Sequence, residues 1–161
     1  MSERELEPQS ETLELLYEHT RHAPARQVAA GEAIDAKAVQ LFAAATLVLG
    51  LGSFAAASFT RPAGVLYVVA IVAYAFATSS AWTILGTREY RVVDRGDRFW
   101  PSHKLAAADY VREQLLDDVA GATAHNHAVL DEKGEPLDRL LVAVAAEAAC
   151  VAVSALLVAV T

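Results

Sequence analysis

The residue with the most chemistry to explain is Glu147, an acidic side chain inside the otherwise apolar stretch Leu140–Val160. It lies seven residues past Leu140, about 10 Å along a helix at about 1.5 Å per residue. At that depth in a bilayer an ionised carboxylate is costly, and it needs a partner or a proton. Counting comparable distances into the other two apolar stretches brings Thr46 and Ser79 level with it. Glu147, Thr46 and Ser79 therefore form an expected intramembrane polar layer, either as a hydrogen-bonded clamp between helices or as a proton or ion pathway.

Other residue groupings are less specific. Asp35 and Lys37 stand where the chain runs into its first apolar stretch. There a lysine can lay its aliphatic stem along lipid and keep its ammonium at the surface, so membrane anchoring is the expectation. His19 and His22, and His127 with Asp131, each offer two ligands at helical spacing but no third, so no metal site is expected. In His125-Asn126-His127 the two histidines point apart on a helix, and the adjacent Asp117-Asp118 carboxylates diverge too. Cys150 is the single cysteine and reads as a packing residue. No catalytic constellation emerges, and neither an enzyme activity nor a cofactor is expected.

The elements that position these residues are set by three apolar stretches, Ala38–Phe59, Ala63–Leu85 and Leu140–Val160. A spanning helix needs roughly 20 residues for about 30 Å of hydrocarbon, and each stretch is long enough. The expected fold is all-α, an integral membrane protein with three transmembrane helices and a cytosolic amphipathic helical module. Its segments are a cytosolic N-terminal helical part over 1–37, a transmembrane hairpin over 38–85, a cytosolic helical part over 86–139 and the third span over 140–161. Met1–Lys37 is polar and acidic, unlike a cleavable signal peptide, so the first span is expected to be the targeting signal.

Lysines and arginines set the orientation. Four precede the first span, Arg61 alone lies between the first two, and eight separate the second from the third. By the positive-inside bias the N-terminus and 86–139 face the cytoplasm and Thr161 lies outside. The net charge of −7 makes nucleic acid an unsuitable partner.

Finer features follow from local pattern. Met1–Gln9 reads as a frayed end, Ser10 as a helix N-cap, and Pro24 as the end or kink of that helix. From Ala25 a second helix is expected to run through Lys37 into the membrane. Thr60-Arg61-Pro62-Ala63-Gly64 reads as a turn, making the first two spans antiparallel neighbours. Gly52 and Ala56, with Ala145, Ala148, Ala149 and Ala152, have the spacing of close-packing faces. Thr87–Val93 reads as helical continuation or an extended piece, Asp94–Asp97 as a turn, and Ser102 as the cap of a helix beginning at His103, just past Phe99-Trp100-Pro101.

Ala108, Val111, Leu115, Val119, Ala122, Asn126 and Val129 then step by three and four, the seam of an amphipathic helix. Its partner is the stripe Leu13, Leu16, Tyr17, Thr20, or the same helix in another subunit, so Val111, Leu115, Val119 and Ala122 form an expected self-association seam. Gly134 and Pro136 mark an expected kink or break before the third span.

Ile34-Asp35-Ala36-Lys37-Ala38 ahead of an apolar span, a tight hairpin, a cytosolic helix and Lys133 before a final span resemble the small prokaryotic three-span membrane proteins that include the transmembrane effectors of Pycsar anti-phage systems and SLATT-type proteins. The resemblance covers about 33–160. It implies an inner-membrane effector that responds to a nucleotide second messenger and compromises the bilayer; the seam adds the expectation of a homo-oligomer. The residues alone leave two other readings open, a channel or transport component using Glu147 and a membrane scaffold for a soluble partner.

The charge bias makes a direct prediction. With Cys150→Ala as background, Arg61→Cys should react with an impermeant thiol reagent on intact cells, and Lys104→Cys only after permeabilisation. The reverse pattern would invert the assigned orientation.

Overall fold

The computed structural model describes residues 3–55, 60–86, 89–93 and 108–160. They form four helices, α1 (Glu3–Thr20), α2 (Ala23–Ala55), α3 (Arg61–Leu85) and α4 (Ala108–Val160). No strand occurs among the described residues. The chain divides into two compact units, the first from Met1–Gly31 and Arg88–Leu130, the second from Glu32–Thr87 and Asp131–Thr161. Parts of α2, α3 and α4 are long and apolar enough to cross a membrane.

Several boundaries differ from the sequence expectations. α1 begins at Glu3, so Ser10 lies inside it rather than at its N-cap position. The helix stops at Thr20, ahead of Pro24, which sits in the first turn of α2, where a missing N–H costs no intrahelical bond. α2 runs on through Asp35 and Lys37 into the apolar stretch, as expected. Thr60 is the N-cap of α3 and Pro62 lies in its first turn, so Ala63 and Gly64 are already helical rather than part of a turn. α4 continues through Gly134 and Pro136 without the expected break. Residues 89–93 are non-helical, whereas Ala56, Asp94–Asp97, Phe99-Trp100-Pro101, Ser102 and His103 lie outside the described residues.

One period organises all the long helices. Buried positions recur every seven residues, at Pro24, Gly31, Ala38, Ala45 and Gly52 in α2 and at Ala63, Ala70, Ala77 and Ile84 in α3. In α4 they fall at Val119, Asn126, Lys133, Leu140, Glu147 and Ser154, with Ala122, Val129 and Ala143 on the alternate step. A seven-residue repeat keeps a narrow seam facing its neighbours along helices that each turn every 3.6 residues. Pro136 deletes one N–H donor, but Lys133 and Leu140 on either side of it are both buried on the seam, and α4 stays continuous.

In the second unit the usual distribution of side chains is inverted. Ala38, Ala45, Ala63, Ala70 and Ala77 are fully buried, whereas Leu47, Leu51, Phe54, Val65, Phe76, Trp82 and Leu156 are exposed. A water-soluble core would enclose most of the large residues as well, whereas here only Ile84 and Leu140 among them are fully buried. Small residues between helices and large apolar ones outward are what lipid as a solvent demands, since close backbone approach replaces the hydrophobic drive between helices. Ala145, Ala149 and Ala152 turn outward, so the close-packing face expected there is instead the row Ala143, Glu147 and Ser154.

Gly52 shows how close that approach is. A methyl group there would lie 2.9 Å from the Tyr67 ring and 3.2 Å from Val151, whereas one at Gly50 would meet nothing within 4 Å. Gly52→Val should therefore lower thermal stability in detergent by about 1–3 kcal/mol, the usual range for overpacking. Gly50→Val should leave it within about 0.5 kcal/mol. Equal effects of the two variants would count against the packing described.

Candidate functional site

In the second unit the site is built on α2, α3 and α4. Lys133 is 3% exposed, and its Nζ donates to Oδ1 of Asp35 at 2.6 Å, with the aspartate side chain 35% exposed. A charge so fully withdrawn from water needs its partner, and the short contact supplies it. The sequence expectation gave Asp35 an anchoring role. The structure gives it a cross-helix one, while Lys37 is exposed beside a groove with Leu137 and Leu141.

Fourteen residues further along both helices, the same register brings Glu147 toward the backbone of Leu49. Glu147 is fully buried; the Leu49 backbone is the polar group nearest its carboxylate, but no hydrogen bond of normal geometry reaches either oxygen among the described residues. Around Leu49 the polar groups are Ser53, whose Oγ donates to the Leu49 carbonyl at 2.9 Å, and Tyr67, whose Oη donates to Ser53 Oγ at 3.2 Å. One heptad beyond Glu147, the buried Ser154 Oγ reaches the Ala63 carbonyl at 3.2 Å and the Cys150 carbonyl at 2.7 Å.

The expected layer of Glu147, Thr46 and Ser79 is not joined. Thr46 Oγ1 binds the Phe42 carbonyl at 3.0 Å and pairs with Tyr74 Oη at 3.2 Å, beneath the stacked Phe42 and Tyr74 rings. Ser79 is exposed and lines a groove between α3 and α4. The reason is an offset. Depth was counted from the ends of the apolar stretches, but the Asp35–Lys133 contact sets the register, which matches Glu147 with Leu49, about one turn past Thr46.

In the first unit the buried polar group is Asn126. Its Oδ1 accepts from the Arg91 N–H at 2.8 Å and its Nδ2 donates to the Arg91 carbonyl at 2.9 Å, so one amide satisfies both backbone groups as a neighbouring strand would. His125 Nε2 lies 3.0 Å from the Glu89 carbonyl. Tyr90, between them, packs over Gly31, where a Cβ would lie 2.4 Å from its Cζ. Asn126 belongs to the expected seam, but nothing in its spacing announced this clamp.

The self-association residues are only partly available. Val119 and Ala122 are buried within the first unit and Val111 and Leu115 half-buried, so the chain covers part of its own seam. Gln27 Nε2 donates to the Thr123 carbonyl at 3.1 Å, and Arg112 meets Glu14 of α1 at 3.6 Å. Among the described residues no group of three metal-ligating side chains forms. His19 and His22 are separated by the break after Thr20, and Asp117 and Asp118 are both exposed.

The chain matches no protein-family model, no curated protein and no solved structure.

The ion pair gives the clearest test. Lys133→Leu takes the cation from Asp35, and Asp35→Leu takes this carboxylate from a buried ammonium. Because Asp35 keeps some contact with water, Lys133→Leu should cost about 2 kcal/mol and Asp35→Leu about 3–5 kcal/mol. The double variant should recover most of the larger loss, measured as thermal stability in detergent. Additive losses would mean that the pair does not act as a unit.

Proposed function

We propose that the protein is a non-enzymatic, multi-pass effector of a prokaryotic inner membrane. In this reading its first unit lies in the cytoplasm and receives a signal, and its second unit alters the bilayer's permeability. The observation that carries the reading is Glu147, fully buried with neither carboxylate oxygen in a hydrogen bond of normal geometry among the described residues, in a unit whose exposed surface is rich in large apolar side chains. A bundle that served only as an anchor would be more stable with leucine there, so an intramembrane carboxylate points to a role in the membrane.

Self-association belongs to the same reading. Leu15, Leu16 and Tyr110 are each about half exposed or more on the first unit, where water makes such a surface costly. The resemblance to Pycsar effectors and SLATT-type proteins supplies a nucleotide second messenger as the trigger and antiviral defence as the setting. The second reading, a channel or transport component, rests on the same Glu147 and differs in whether flux needs a trigger.

Glu147→Leu separates function from structure. Replacing an unpartnered buried polar group with an apolar one should raise thermal stability by about 1–3 kcal/mol. Glu147→Gln should change stability little. Induced expression of the native protein should collapse the membrane potential, read with a potential-sensitive dye, and both variants should abolish that collapse while inserting normally. A stabilised leucine variant that still depolarises cells would end the proposal. Depolarisation at equal strength with and without an added cyclic nucleotide, in vesicles holding purified protein, would favour the transport reading.

A further inference from the structure

Among the described residues, the serine and threonine hydroxyls within the spans share a habit with two exceptions. Thr46, Ser53, Thr78, Thr83 and Ser154 each donate to the carbonyl four residues back, at 2.7–3.0 Å, which hides the hydroxyl from lipid. Ser79 and Ser80 hold no such bond, and both line one groove of about 780 Å³ between α3 and α4 of the second unit.

That groove is graded along its length. At one end lie Thr83, Ser80 and Ser79 of α3 with Glu135, Asp138 and Arg139 of α4, and at the other Phe76 and Ala73 with Val142 and Ala146. Its lining runs over residues 73–83 of α3 and 135–146 of α4, which at about 1.5 Å per residue makes it roughly 15 Å long. Its polar end adjoins Leu140, where α4 becomes apolar, so the gradient matches that of a lipid leaflet from headgroup to acyl chain.

Charge decides which headgroup fits. Arg139 pairs with Glu135, leaving the rim with two carboxylates and one guanidinium. A second anion would meet net negative charge, whereas a headgroup with both signs meets both. Its phosphate can accept from Arg139 and the two serine hydroxyls, and its ammonium can donate to Asp138.

We propose that the groove between α3 and α4 binds one phospholipid with a zwitterionic, amine-bearing headgroup, held by Ser79, Ser80, Asp138 and Arg139 and with an acyl chain along Phe76 and Ala146. This rests on the reading that α3 and the end of α4 lie in a bilayer. It goes beyond that reading, because a lipid held here is a built-in component rather than bulk solvent.

The test is native mass spectrometry of the full chain, delipidated in mild detergent and supplied with phosphatidylethanolamine or phosphatidylglycerol. Phosphatidylethanolamine should be retained at one per chain and about tenfold better than phosphatidylglycerol, the size of effect expected of a charge-assisted contact. Ala146→Trp, which fills the exposed apolar end, should abolish retention, and Ser79→Ala with Ser80→Ala should reduce it. Leu156→Trp, outside the groove, should not.

Equal retention of both lipids, unaffected by Ala146→Trp, would mean annular lipid only and overturn the proposal. A lipid-free dimer lost in Ala146→Trp would assign the groove to a second copy and overturn it too. Resistance to alkaline carbonate extraction reports the spans independently, so a failure of the membrane reading would be seen separately.

Discussion

Every level of the second unit is counted from the ion pair between Asp35 and Lys133. Two charges drawn toward the edge of an apolar bundle cannot slip past each other without being parted, at a penalty of several kcal/mol. Because α2 and α4 run in the same direction from this point, the pair dictates which residues meet above it. Leu49 faces Glu147, and Gly52 receives Val151. Small residues alone would not fix this, since alanine seams offer many nearly equivalent registers. The fixed register is what makes the position of Glu147 a property of the fold rather than an accident of composition.

Buried polar residues share one heptad position in α4, at Asn126, Lys133, Glu147 and Ser154, with Leu140 between them. Three of the four are satisfied, each differently: by the backbone of an irregular segment, by a carboxylate, and by carbonyl oxygens. Polar residues in an otherwise apolar seam specify alignment at some cost in stability. Glu147 departs from that logic because it has the cost without the partner, and this contrast within one helix sets it apart from the structural polar residues.

The helical class and the three apolar spans were legible in the sequence because length and composition alone decide them. So was the continuation of α2 past Lys37, and so was the seam from Val111 to Val129. The seam's extension was just as readable: Val129, Lys133, Pro136, Leu140, Ala143 and Glu147 keep the same steps of three and four. It was obscured because Gly134 and Pro136 carry strong local breaking tendencies, which packing on both sides overrides. The level of Glu147 was not legible, since depth measured from the edge of an apolar stretch ignores the contact that sets the register. The Asn126 clamp depends on a segment distant in sequence, and no local pattern encodes such a contact.

The repeat also constrains how the chain can change length. Inserting one residue between Lys133 and Glu147 would rotate everything beyond it by about 100° and carry the carboxylate from the bundle interior to the lipid side. Even a clean loss of seven residues from α4 would leave Glu147 facing a different turn of α2 unless α2 lost seven between Asp35 and Leu49. The two helices are thus tied as a pair of rulers. Loops can lengthen freely in descendants of this chain, but these two intervals can change only together and only in sevens.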